Sequence, residues 1–100
     1  MDHGFRKSNK HLKKLKRYIY LISPQRIREV KFYKELHQVL KTNKVKYFQL
    51  RLKNISTQNL LKISRKIEKI TKKNNVKFLI NDKPFVAKKI GADGCHIGQR

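Results

Sequence analysis

Short apolar runs of strand length alternate with stretches that carry apolar residues at helical spacing, and this alternation narrows the fold of the chain more than any other feature. Residues 18–22, Tyr-Ile-Tyr-Leu-Ile, are aromatic, β-branched and continuously apolar. That is the pattern of a strand covered on both faces. Ser23-Pro24 ends it with turn chemistry. Over residues 30–42, Tyr33, Leu36 and Leu40 recur at helical spacing, flanked by Phe32 and Val39, which predicts an amphipathic helix. Residues 45–52 read as a second strand, with Gln49, Arg51 and Lys53 pointing one way and Phe48, Leu50 and Leu52 the other. Ser56 or Thr57 suits the cap of a second helix. Its apolar stripe is Leu60, Ile63, Ile67 and Ile70, and Lys62, Arg65, Lys66, Lys69 and Lys73 cover the rest. Asn74-Asn75 breaks that helix. Residues 76–80 form the third predicted strand, with Asn81-Asp82 at its C-terminal end. Pro84 suits the first turn of a short helix ending near Ile90, Gly91 permits the turn, and residues 94–98 are a fourth strand.

The order β-α-β-α-β-α-β predicts an α/β fold with a parallel sheet and right-handed crossovers. Residues 1–17 are polar and basic with few apolar anchors, and are expected to be a disordered extension ahead of the folded domain at 18–100.

Charge is the second constraint. Among 100 residues, 27 are Lys or Arg and 6 are Asp or Glu, a formal net charge of +21. Such a balance raises nucleic acid as a partner. The competing explanation is compositional: Lys, Ile and Asn rise together, as AT-rich coding produces, and the lysines fall on polar helix faces where solvated charge belongs. The second explanation is preferred, so nucleic acid is not the expected partner. The single cysteine, Cys95, cannot form an internal disulfide, which fits a reducing cytoplasm. No apolar run approaches the roughly 20 residues that span a bilayer, so no membrane partner is expected. The basic N-terminus is not followed by an apolar stretch of signal-peptide length.

In parallel α/β folds the reactive groups lie at the C-terminal ends of strands. Here those ends carry Gln49, Arg51 and Lys53, then Asn81 and Asp82, then His96 and Gln99. Two cations beside an amide and one carboxylate make a reasonable kit for a diphosphate with Mg²⁺. Arg offers a bidentate fork and Lys a point charge, and Mg²⁺ takes one or two carboxylates plus phosphate oxygens. Taken alone the signal is unspecific, because any exposed strand end can be polar. Asp82 could equally cap the helix that begins at Pro84. Asp93 is read as fixing the turn before the fourth strand, Cys95 as a small apolar residue, and His3, His11 and His37 as lacking ligand spacing.

Four segments taken together, Tyr20-Leu21-Ile22-Ser23-Pro24, Gln49-Leu50-Arg51-Leu52-Lys53, Ile80-Asn81-Asp82 and Gly91-Ala92-Asp93-Gly94-Cys95-His96-Ile97-Gly98-Gln99, resemble the thiamine-phosphate synthase family in order and separation. The resemblance implies the N-terminal half of a (β/α)₈ TIM barrel, four parallel strands with intervening helices. It implies a transferase that joins hydroxymethylpyrimidine diphosphate to a thiazole phosphate in a Mg²⁺-dependent reaction. Diphosphate leaves, the pyrimidine methylene becomes a carbocation-like electrophile, and the thiazole nitrogen captures it. By the same resemblance Gln49, Leu50, Arg51, Leu52 and Lys53 hold the pyrimidine diphosphate, Asn81 adds a substrate contact, and Asp82 is a Mg²⁺ ligand.

The sequence also departs from that pattern. In the family, Gly-Gln is followed by an acidic residue and then a second metal-binding Asp. Arg100 stands in the acidic place, and the Asp position and the thiazole-phosphate segments would fall beyond it. The expectation is therefore a truncated synthase, inactive alone, with open edges at its first and fourth strands. A second copy or a separately encoded half would complete it. Two other readings stay open: a thiazole tautomerase-like homologue, and a small basic protein that binds nucleic acid or another polyanion through the residues before Tyr18.

Overall fold

The computed structural model describes residues 6–8 and 19–97. Its elements run β1 (Arg6–Ser8), β2 (Ile19–Ile22), α1 (Glu29–Leu40), β3 (Val45–Leu50), α2 (Thr57–Lys73), β4 (Lys77–Asn81), α3 (Pro84–Ile90) and β5 (Gly94–His96). The five strands form one sheet in sequence order, with β2, β3, β4 and β5 mutually parallel. This is the predicted α/β architecture of four parallel strands with a helix in each crossover.

Register sorts the sheet into two faces. Leu21, Phe48 and Phe78 stand in one row, and Leu50, Ile80 and Cys95 in the next. All six turn toward the helices, where Phe32, Leu36 and Leu40 of α1, Leu60, Ile63 and Ile67 of α2, and Val86 and Ala87 of α3 meet them. The Phe48 and Phe78 rings stack at 6.1 Å between centroids, and Phe32 lies 6.2 Å from Phe48. An aromatic column thus joins two strands and a helix, which is where aromatic burial contributes most. Tyr20, Ile22, Tyr47, Gln49, Leu79, Asn81 and His96 take the alternate positions and face the other way, where none of the described helices packs.

Strict alternation along residues 45–52 would put Val45 on the face opposite Phe48. Instead both are buried. The register jumps from Ile19↔Val45 to Tyr20↔Tyr47, so Lys46 is an extra residue in the ladder. That bulge resets the alternation, leaving Val45 in the helix-side core.

The helices end and begin as local chemistry dictates. Ser56 accepts the Asn59 N–H at 3.1 Å and caps α2, an interaction worth about 1 kcal/mol. Pro84 opens α3. Each helix is followed by a left-handed residue, Asn43, Asn75 or Gly91 (φ 63°, 57° and 74°), the conformation that Gly and Asn adopt most readily. Asp93 holds the last crossover as expected: its N–H donates to the Phe78 carbonyl and its carboxylate accepts the Phe78 N–H at 2.8 Å.

Two expectations change. Arg6–Ser8 forms a strand antiparallel to β2, with Arg6↔Ile22 and Ser8↔Tyr20 as partners. Those three residues are therefore ordered against the sheet, and the edge of β2 is occupied rather than open. The rest of the basic extension, with His3 and His11, lies outside the described residues. The second change is that β3 stops at Leu50 rather than at Leu52, so Arg51 sits just past the strand rather than within it.

Candidate functional site at the C-terminal strand ends

The carboxyl ends of β2, β3, β4 and β5 lie along one rim of the sheet. Ile22 pairs with Gln49, Gln49 with Leu79, and Asn81 with His96. Gln49, Asn81 and His96 therefore share the helix-free face near the rim. Gln49 is only 4% exposed, and its side-chain amide donates to the Tyr20 hydroxyl at 3.0 Å. The Tyr20 ring in turn stacks on Tyr47 at 5.6 Å. Buried amides need such partners, and this one fixes the Gln49 rotamer from the neighbouring strand.

Arg51 and Lys53 are held through their backbones. The Arg51 N–H donates to Ser23 Oγ at 2.9 Å, and the Lys53 N–H donates to the Gln25 carbonyl at 3.0 Å. Their side chains are half-buried and exposed, respectively, at the mouth of the sheet. Leu50 and Leu52 turn to the core, Leu50 at 1% exposure. Within the five-residue segment, Arg51 and Lys53 thus present side chains at the rim, Gln49 is buried against Tyr20, and the two leucines offer only backbone.

Asn81 and Asp82 follow on β4, both partly exposed. Asp82 adopts a left-handed conformation (φ 57°), and its N–H donates to the His96 carbonyl at 2.7 Å. A non-glycine residue held there is a strained choice that tends to mark functional positions. The N-cap position of α3 is Lys83, whose own side chain makes no capping hydrogen bond. Among the described residues no cluster of three His, Cys, Asp or Glu side chains could enclose a metal. One carboxylate at a rim suits Mg²⁺, which keeps water and takes phosphate oxygens, and does not suit a cation that needs an all-protein cage.

A cleft of about 380 Å³ lies between the loops after β2 and β3, lined by Gln25, Glu29, Lys53, Asn54 and Asn59 among others. It reaches Lys53 but none of Gln49, Arg51, Asn81 and Asp82, so it flanks the rim rather than forming its centre. Tyr20, Ser23 and Gln25 are the residues that the sequence does not flag as site components. The Ser23-Pro24 turn is visible in the sequence, but its hydrogen bonds to residues 51 and 53 cross about thirty positions of chain and have no local signature.

Comparison with known proteins decides the family. The family described as thiamine monophosphate synthase matches residues 19–100. The chain belongs to the thiamine monophosphate synthase family. It is 53% identical over 85 residues to the thiamine-phosphate synthase of Pelagibacter ubique, covering 85% of this chain and 41% of that protein. The Fusobacterium nucleatum thiamine-phosphate synthase is 40% identical over 82 residues, covering 81% and 39%. The chain thus spans about 40% of the length of these curated relatives. Among solved structures, the Pyrococcus furiosus thiamine phosphate pyrophosphorylase superposes with a TM-score of 0.59 at 24% identity, covering 63% of this chain and 31% of that one. That likeness carries the fold: parallel strands with helices in their crossovers, matching part of a barrel-like structure. No helix of the described residues is long and apolar enough to cross a membrane.

Proposed function

We propose that this chain supplies the pyrimidine-diphosphate half of a thiamine-phosphate synthase site. The carrying observation is that Gln49, Arg51 and Lys53, each tied to the β2 strand or its loop, stand at the same rim as Asn81 and Asp82. Arg51 grips the diphosphate through its fork and Lys53 adds a point charge. Asn81 sets the orientation of the pyrimidine, and Gln49, fixed by Tyr20, supports the segment beneath it. As negative charge builds on the departing diphosphate, cations fixed in advance stabilise it more than mobile ones would.

Asp82, with diphosphate oxygens and water, would hold Mg²⁺. That ion supplies further neutralisation of the leaving group. The bond-forming partner, a thiazole phosphate, needs a second wall over the helix-free face. Further β/α units, whether on one polypeptide, a second copy or a separate chain, provide that wall. A cytoplasmic setting suits the lone thiol of Cys95. The synthase reading is favoured over a thiazole tautomerase because the cation pair and Asp82 are both kept.

Calorimetric titration of the chain with inorganic diphosphate and Mg²⁺ tests this reading. Saturable binding is expected, weakened at least about tenfold by Arg51→Ala and dependent on Mg²⁺ through Asp82. Binding that Arg51→Ala and Asp82→Asn both leave unchanged overturns it.

A further inference from the structure

Ser23 holds the diphosphate-binding segment from both sides. Its N–H donates to the Gln49 carbonyl at 2.9 Å, and its Oγ accepts the Arg51 N–H at 2.9 Å. The hydroxyl proton goes to the Pro24 carbonyl at 2.9 Å. One residue later in the same loop, the Gln25 carbonyl accepts the Lys53 N–H. The β3 ladder ends at Leu50, so Arg51 is the first residue without a strand to fix it. A guanidinium that must meet diphosphate with both of its arms has to be placed to within about 0.5 Å. Beyond the end of the ladder that placement comes from the Ser23 side chain.

We infer that Ser23 is a positioning residue for diphosphate binding, acting through the Arg51 backbone. Ser23 is 2% exposed, so its hydroxyl does not reach a ligand at the rim. Removing it leaves the Arg51 N–H without its acceptor and frees the segment to swing away from β2. The inference rests on the diphosphate reading of Arg51 given above.

The test is calorimetric titration of the full chain with inorganic diphosphate and Mg²⁺, beside urea denaturation of each variant. Ser23→Ala is expected to weaken diphosphate binding about tenfold, the scale of one lost hydrogen bond to a positioned group. Ser23→Thr keeps an oxygen in place and restores binding. Ser23→Cys fills the same space with a weak acceptor and behaves like Ala, which covers the case in which Ala fails to fold. Thr71→Ala serves as the control. It deletes another buried hydroxyl, bonded to the Glu68 carbonyl on α2, and should lower the urea midpoint without changing diphosphate affinity. Equal weakening by Ser23→Ala and Thr71→Ala would reduce Ser23 to a stability role and overturn the inference. Undiminished binding by Ser23→Ala, alongside loss in Arg51→Ala, overturns it while the diphosphate reading stands. Absence of binding by the unaltered chain overturns both.

Discussion

The side-chain amide of Gln49 donates to the hydroxyl of Tyr20, 29 positions earlier in the chain, at 3.0 Å. The bond crosses the parallel β2–β3 pair on the helix-free face, where Tyr20 also stacks on Tyr47. It ties β2, none of whose residues carries charge, to the segment proposed to hold diphosphate.

Tyr20→Phe isolates that bond. The ring and its stacking on Tyr47 remain, but the Gln49 amide, 4% exposed, loses its acceptor. A buried polar group left unpaired costs about 1–3 kcal/mol. Urea denaturation of Tyr20→Phe should show a loss of that order, and Tyr20→Phe with Gln49→Leu should recover much of it, because both polar partners are then gone. An unchanged midpoint in the single variant would show that water or another group takes over the amide.

Tyr33 sets an alkaline limit on stability. Burial is the main reason its hydroxyl is pushed well above the ordinary value of 10.0; the nearby charge of Glu29 and the hydrogen bond to Glu29 at 3.1 Å add to it. The folded state keeps the Tyr33 proton where the unfolded chain gives it up. The sign follows: this contribution is fully present below about pH 10 and is lost as pH rises from there toward the raised folded value. Denaturation midpoints across that alkaline window should fall more steeply for the unaltered chain than for Tyr33→Phe. Parallel curves would show that Tyr33 titrates as an ordinary tyrosine.

The edge of β2 offers a third test. Ile19 and Ser23 donate to Lys44 and Gln49 on the β3 side, so alternation turns the Tyr20 and Ile22 N–H groups toward β1. Their partners there are Ser8 and Arg6. A short strand of basic sequence is a common guard for such an edge. Arg6→Pro and Ser8→Pro each remove a donor from the ladder. Amide exchange at Tyr20 and Ile22 should accelerate in both variants, while Ser23 stays protected by Gln49. If Tyr20 and Ile22 exchange equally fast before and after substitution, the β1 pairing does not protect them.

Much of this arrangement is legible in the chain itself. The stripe Leu60, Ile63, Ile67 in α2 has the 3.6-residue period that one buried face requires. Pro84 and Gly91 bracket α3 by their backbone geometry alone. The residues at the strand ends are readable because a parallel sheet places them at one rim whatever else the fold does. Less legible were the bulge at Lys46, the stop of β3 before Arg51 and the strand at Arg6–Ser8. Each depends on what a neighbouring strand offers, and periodicity carries no information about neighbours.

The sequence by itself determined the order of elements, the helix-side core and the polar groups at the rim, because propensity and hydrophobic period act over a few residues at a time. The tertiary structure decided how those groups are held: Gln49 by Tyr20, Arg51 by Ser23, Lys53 by Gln25, and Asp82 in a left-handed turn bonded to His96. These are hydrogen bonds between strands and loops far apart in the chain. They exist only once the parallel register has closed, since that register is what brings donor and acceptor within 3 Å of one another.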